Sequence, residues 1–345
     1  MRRAAARALG AYAGAAATEV LLEALGDAQV SDAVAEVVAR FREPPVRELL
    51  ALLTDADRGA AQRRGAARAL GLAGCAEAAP PLLAVVADGE AATALRATAV
   101  DALGTLRHAQ AAAALAALAE DEAQPGTVRA RAVRALGLIG APETLPVVLA
   151  CLRAPHEAVR ARAVDALAGF PVPEAADTLG ALAGPGTARE TAVAAVRALH
   201  RVGAPALPVL TALADGVRED IADYLVAALR DRPEAEATLA LGRVATSAEA
   251  PYPAQVAATE ALSARGTPEC VAPLASLLTH TGVWGPVYAA AMRGLVAIGT
   301  PEAHAHVLAY CRASPYLNQN EEIDALHTLA EARRAQEPEG RTPHQ

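Results

Sequence analysis

The chain says one thing many times. "RARAVRALGLIGAPE", Arg129 to Glu143, has close copies in "RRAAARALGAYAG" at the start, "RRGAARALGLAGCAE" from Arg63 and "RATAVDALGTL" from Arg96. With the Leu of "ALG" as anchor, the copies fall at Leu9, Val37, Leu70, Leu103, Leu136, Leu167, Leu199, Leu229, Leu262, Leu295 and Leu326. Val37 is the weakest match. From Leu70 onward the steps are 33, 33, 31, 32, 30, 33, 33 and 31 residues. A period of this length means a stacked array, in which each unit contacts only its neighbours. It also removes the expectation of two or three domains that 345 residues would otherwise raise.

Each unit reads as two helices. The anchor helix occupies about seven residues up to the Leu, with apolar side chains at helical spacing: Ala132, Val133, Leu136 and Ile139 in the quoted copy. Gly71, Gly104 and Gly137 follow their anchors and are expected to act as left-handed C-caps. A turn then reads Gly-x-Pro-Glu at Gly140, Gly266 and Gly299. Pro142, Pro205, Pro268 and Pro301 suit a helix start, and Thr267 and Thr300 read as N-caps. The partner helix follows, as in "LPVVLACL" from Leu145. Helices of about 10–13 residues are about 15–20 Å long. Such pairs cannot bury their faces alone, but stacked pairs can.

Composition agrees. Hydrophobic residues make up 53%, much of it Ala, while aromatics are 3%. Ala is the best helix former and lets helices approach closely. The net charge of −8 argues against sequence-independent binding of DNA or RNA. The chain has no lysine, so all 31 cationic side chains are Arg, which excludes Schiff-base chemistry through lysine. This usage suggests a high-GC, bacterial genome. Cys75, Cys151, Cys270 and Cys311 are widely separated and form no CxxC. The N-terminal arginines and small residues match the repeat, so they read as structure rather than a signal peptide. No apolar run is long enough to span a membrane, and a cytoplasmic location is expected.

The unit "VRARAVRALGLIGAPE", with an acidic loop before it, resembles the short HEAT repeat of the phycobilisome-lyase, or E-Z, type. The resemblance runs over about residues 1–332. It implies an all-α, right-handed α-solenoid of about ten to eleven HEAT-like helix pairs. We expect residues 1–335 to form one solenoid, with a subregion of longer aromatic loops at 247–321 and a disordered tail at 336–345. The family includes bilin lyases, adaptors and di-iron hydroxylases, and HEAT-like arrays include DNA glycosylases, so the resemblance specifies fold far better than function.

Two charged columns bear on function. Two residues before the anchors stand Arg68, Asp101, Arg134, Asp165 and Arg197, alternating in sign, then Glu260, Arg293 and Asp324. Equivalent positions on stacked helices are about 10 Å apart, so a ladder of ion pairs between repeats is expected. Seven before the anchors stand Arg63, Arg96, Arg129 and Arg160. Either the acids of the preceding loops hold them, or they form an anion-binding stripe with Arg131 and Arg162.

The last units differ. Tyr252, Trp284 and Tyr316 are spaced 32 and 32 residues apart, which stacks three aromatics on one edge. Tyr288, Gln255, Gln319, Asn318 and Asn320 fall close by. Aromatic and amide side chains suit partner contact, although capping the array is the competing use.

Motifs for catalysis are sparse. His156–Glu157 is a lone His-Glu pair, where a hydroxylase of the di-iron kind needs several. Cys75 and His108 occupy equivalent positions but make only two ligands, so no metal or other cofactor is expected. The expected function is therefore a non-catalytic scaffold or adaptor. It would bind a protein or peptide on a concave face lined by anchor helices and on the C-terminal aromatic edge. The alternatives are a lyase-like or other accessory enzyme that seats a small anionic ligand on the arginine stripe, and a DNA glycosylase, which the acidic charge disfavours.

Overall fold

The computed structural model describes residues 4, 8–9, 15–279, 285–313 and 328–332. Among the described residues the secondary structure is α-helix with short 3-10 turns, and no strand occurs. The chain divides into two compact units, Met1–Pro171 and Val172–Gln345.

In the first unit the chain runs through α1 (Ala15–Ala24), α2 (Ser31–Ala39), α3 (Val46–Thr54), α4 (Ala60–Leu72) and α5 (Ala79–Ala87). It continues through α6 (Thr93–Thr105), α7 (Ala112–Glu120), α8 (Gly126–Ile139), α9 (Leu145–Cys151) and α10 (Glu157–Leu167). The second unit contains α11 (Pro173–Ala183), α12 (Arg189–Val202), α13 (Leu207–Leu213), α14 (Ala222–Arg230) and α15 (Ala235–Thr246). It ends with α16 (Tyr252–Arg265), α17 (Val271–Thr279), α18 (Gly285–Ile298) and α19 (Pro301–Ala313). Even numbers are the anchor helices.

In each unit the helices form the two-layered stack of an all-α solenoid. Anchor helix packs on anchor helix, α4 on α6, α6 on α8 and α8 on α10, and each packs on the partner helix before it. In the second unit α12, α14, α16 and α18 stack in the same way. The anchors Leu70, Leu103, Leu136, Leu167, Leu199, Leu229, Leu262 and Leu295 are all fully buried. Truncating any of them to Ala would cost about 2–5 kcal/mol. In the weak second copy the register shifts by one: Val37 is half-buried, and Val38 takes the core position.

The glycine after the anchor does not cap. Gly71, Gly104 and Gly137 lie inside their helices. Their job is close approach. A Cβ on Gly71 would stand 2.8 Å from Ala102 Cα, one on Gly104 2.8 Å from Ala135 Cα, and one on Gly137 2.5 Å from Ala166 Cα. The anchor layer is thus zipped by Gly facing the Ala that precedes the next anchor. In the second unit the order reverses: Gly294, just before its anchor, faces Ser263, just after the preceding one, and Ser263 Oγ donates to the Ala290 carbonyl at 2.9 Å.

The left-handed residue comes four after the anchor, at Gly74, Gly140, Gly203, Gly266 and Gly299, with φ between 61° and 88°. Arg107 holds the same position with φ 50°. Thr300 caps α19 through its hydroxyl, which accepts the Ala303 N–H at 3.2 Å. Thr267 makes no such bond, because a 3-10 turn, Pro268–Cys270, intervenes before α17.

Candidate functional site

The arginines seven before the anchors point inward, since seven residues are close to two helical turns and place them on the same face as the buried Leu. Arg63 Nε donates to the Leu53 carbonyl at 3.0 Å, Arg96 Nε to Val86 at 3.3 Å, and Arg129 Nε to Ala119 at 2.9 Å. Each acceptor is the next-to-last residue of α3, α5 or α7. Arg160 Nη1 donates to Ala154 and Pro155 at 2.9 and 2.7 Å. The guanidiniums of Arg63, Arg96 and Arg129 therefore satisfy carbonyls that a helix end leaves without partners, at the negative end of its dipole, while Arg160 bonds the loop that follows α9. Arg129 is 8% exposed. Gln255 does the same job in the second unit, with Nε2 donating to Ser247 at 2.8 Å and to Ala250 at 3.1 Å.

The loop acids serve the turns. Asp55, Asp88 and Asp121 accept the backbone N–H two residues on, at 3.0, 2.9 and 3.0 Å. The Gln124 side chain and the Ala123 N–H hold the Asp121 carboxyl below its ordinary range, with weaker help from Arg129 and Arg96. Column and loop acid are thus electrostatic neighbours, while the directional bonds of the column go to backbone.

The open charged surface of the first unit lies one helical face away. A groove of about 410 Å³ runs across α4, α6 and α8. Its charged lining is Arg64, Arg68, Asp101, Arg131 and Arg134, with Asp32 of α2 at one end. None of the four core-facing arginines lines it. Arg131 Nη1 and Arg134 Nη2 both donate to Asp101, the latter at 3.3 Å. Asp101 is 23% exposed, while its two arginines are 47% exposed. Arg68 turns the other way, to Asp32, at 3.5 Å. The expected ladder therefore has a rung between Asp101 and Arg134, and Arg68 departs from it. Arg162 pairs within its own helix, with Asp165 at 3.1 Å. Arg64 belongs to no repeating charged column, since Ala97 and Ala130 stand at its position in the next two copies. The signal for it was present: positions two, five and six before an anchor share a face, one turn apart.

In the second unit, Arg197 lies over the Tyr224 ring, with Cζ 4.7 Å from its centre. At the C-terminal edge, Tyr252 opens α16 and is 39% exposed. Tyr288 of α18 stacks on Tyr310 of α19, with ring centres 5.5 Å apart and planes at 23°. Burial, with Tyr288 and Cys311 adjacent, pushes the Tyr310 hydroxyl up to about 12. Trp284, Tyr316, Asn318, Gln319 and Asn320 lie outside the described residues. Among the described residues no three His, Cys, Asp or Glu side chains are grouped to hold a metal ion. No described helix is long and apolar enough to cross a membrane.

Two family models match the chain. The model for HEAT repeats matches residues 86–157, 122–199 and 146–230. The model for the PBS lyase HEAT-like repeat matches residues 1–27, 62–88 and 254–280. A search of curated proteins finds no match. Similar solved structures include human deoxyhypusine hydroxylase in complex with glycerol, 19% identical over 90% of this chain and 100% of that one, with a TM-score of 0.34. The complex of CpcE and CpcF of phycocyanin lyase from Nostoc sp. PCC7120 is 20% identical over 74% of this chain and 94% of that one, with a TM-score of 0.37. An engineered protein is 19% identical over 96% and 95%, with a TM-score of 0.45.

Proposed function

We propose, from the premise that this chain is a HEAT-repeat protein of the PBS-lyase-like class, that it is an interaction scaffold docking a protein partner along its anchor-helix face. The observation that carries the reading is the open groove over three successive anchor helices, floored by small residues and walled by ionised ones. Stacked repeats hold such a surface rigid over a length that a single helix pair cannot offer. In the second unit the edge at Tyr252 and Tyr288 is a further contact region, where rigid aromatic area favours a protein partner. All four cysteines are free, in keeping with work in a reducing cytoplasm.

The test is site-specific photo-crosslinking in the native host. A crosslinker at Thr98, in the groove, should yield a protein adduct, and one at exposed Ala113 on α7 should not. Adducts at Ala113 alone, or at neither position, would contradict the reading. A second reading draws on the same guanidiniums: an accessory enzyme that seats a small anionic ligand. It would give no protein adduct at Thr98 and would saturate the groove with a small anion.

A further inference from the structure

We infer that the groove across α4, α6 and α8 receives an extended acidic peptide segment with two carboxylates six residues apart. This rests on the scaffold reading and gives its partner a chemistry.

The groove has two cationic poles. Arg64 and Arg68 of α4 form one, and Arg131 and Arg134 of α8 form the other. Among the described residues the Arg64 side chain makes no hydrogen bond or ion pair. Among the described residues the Arg68 guanidinium pairs with Asp32 alone, itself 74% exposed, at 3.5 Å. At the other pole two guanidiniums share the single carboxylate of Asp101. Each guanidinium carries five N–H donors, so one shared carboxylate leaves most of them without a carboxylate partner. The lining holds four arginines against two aspartates, a local excess of positive charge on a chain of net charge −8.

The small lining residues Ala94, Ala97, Thr98 and Ala102 of α6 form the floor. Gly71 lets α4 approach α6 closely at Ala102. The Thr98 hydroxyl donates to its own helix, at the Ala94 carbonyl, 2.9 Å away. Leu72, 44% exposed, offers an apolar rim.

Spacing selects the ligand. Arg68 reaches to Asp32 of α2, and Arg131 and Arg134 reach to Asp101 of α6, so the charged ends stand two helices apart, and at about 8–10 Å per packed helix they are separated by about 16–20 Å. An extended chain rises about 3.3 Å per residue, so six residues span that distance. Six is also even, which turns both end side chains to the same face and sets the second and fourth between them toward the floor. The matching segment is acidic at its first and seventh positions and small between. A free phosphate reaches one pole only. A nucleic acid strand, charged at every residue, would press phosphates against Asp101 and Asp32.

The experiment measures fluorescence anisotropy on the full chain with labelled Glu-Ser-Ala-Ser-Ala-Ser-Glu. Controls are a peptide with the two glutamates adjacent, the same peptide with Lys for Glu, and inorganic phosphate as competitor. We expect the spaced peptide to bind at least about fivefold tighter than the adjacent one. R64Q combined with R131Q should weaken it about tenfold, with circular dichroism unchanged. R64Q alone removes no internal bond and should weaken it about threefold. D101N releases Arg131 and Arg134 and should tighten binding, a direction that a purely structural role for Asp101 does not give. Equal binding of the adjacent or Lys peptide, displacement by equimolar phosphate, or unchanged affinity in the folded double variant would overturn the proposal. A chain that crosslinks a protein at Thr98 yet ignores this peptide keeps the scaffold reading and loses this one.

Discussion

Arg129 Nε donates to the carbonyl oxygen of Ala119 across 2.9 Å, tying the start of α8 to the end of α7 ten residues earlier. The bond is buried, so its loss leaves a carbonyl without a partner. Arg129→Met should cost about 1–3 kcal/mol. Urea denaturation at neutral pH reads this directly, and a midpoint equal to wild type would remove the capping role.

The Gly–Ala zipper makes a sharper claim about packing. At Gly104 an added methyl would stand 2.8 Å from Ala135 Cα, which is backbone and cannot swing aside. Gly104→Ala should therefore destabilise by about 1–3 kcal/mol, despite the better helix propensity of Ala. Gly89 has nothing within 4 Å, so Gly89→Ala should be nearly neutral. Thermal melts of the two variants should separate clearly.

Arg107 sits where five other copies have glycine, with φ 50°. A side chain in the left-handed region costs about 1–2 kcal/mol, partly offset by the entropy that glycine loses on folding. Arg107→Gly should raise the melting temperature, and an unchanged or lower one would show that the arginine side chain compensates in place.

Tyr310 supplies a pH dependence of known sign. Its hydroxyl ordinarily ionises near 10 and is pushed up to about 12 in the fold, chiefly by burial. Below pH 10 it is neutral in both states and its contribution is complete. Between about 10 and 12 the unfolded chain ionises while the folded one resists, so that stability is lost as pH rises through 12. Y310F should flatten the fall in urea midpoint over that window.

The architecture was legible because a core position repeats in phase with a helix pair, and leucines such as Leu103 and Leu136 can sit nowhere else. The charged columns were harder. Read as letters, the arginines seven before the anchors allow two uses, pairing with the acids of the preceding loops or forming an anion-binding stripe. Their distance from a buried Leu, nearly two turns, already placed them on the core face, and a guanidinium there has helix-end carbonyls in reach. Gln255, expected at the aromatic edge because it falls near Tyr252, also bonds backbone. The glycines after the anchors were assigned to caps because Gly favours left-handed turns. The cap falls three residues later, where Gly74 and Gly140 stand, and the close approach to Ala102 or Ala166 depends on a neighbouring helix that no single unit reveals. Arg64 has no charged equivalent in adjacent copies, where Ser31 and Ala97 stand, and it joins Arg131 and Arg134 only through the packing of three helices.

We propose a division of labour among arginines: those seven before the anchors hold the fold, and those lining the groove bind the partner. The most direct measurement is a cross of two variants against two readouts, R129Q and R64Q, each assayed for urea midpoint and for affinity toward the spaced acidic peptide. We predict that R129Q loses stability and, where folded, keeps its affinity, while R64Q keeps its stability and loses affinity. The reverse pattern would contradict the account and return the binding role to the inner column.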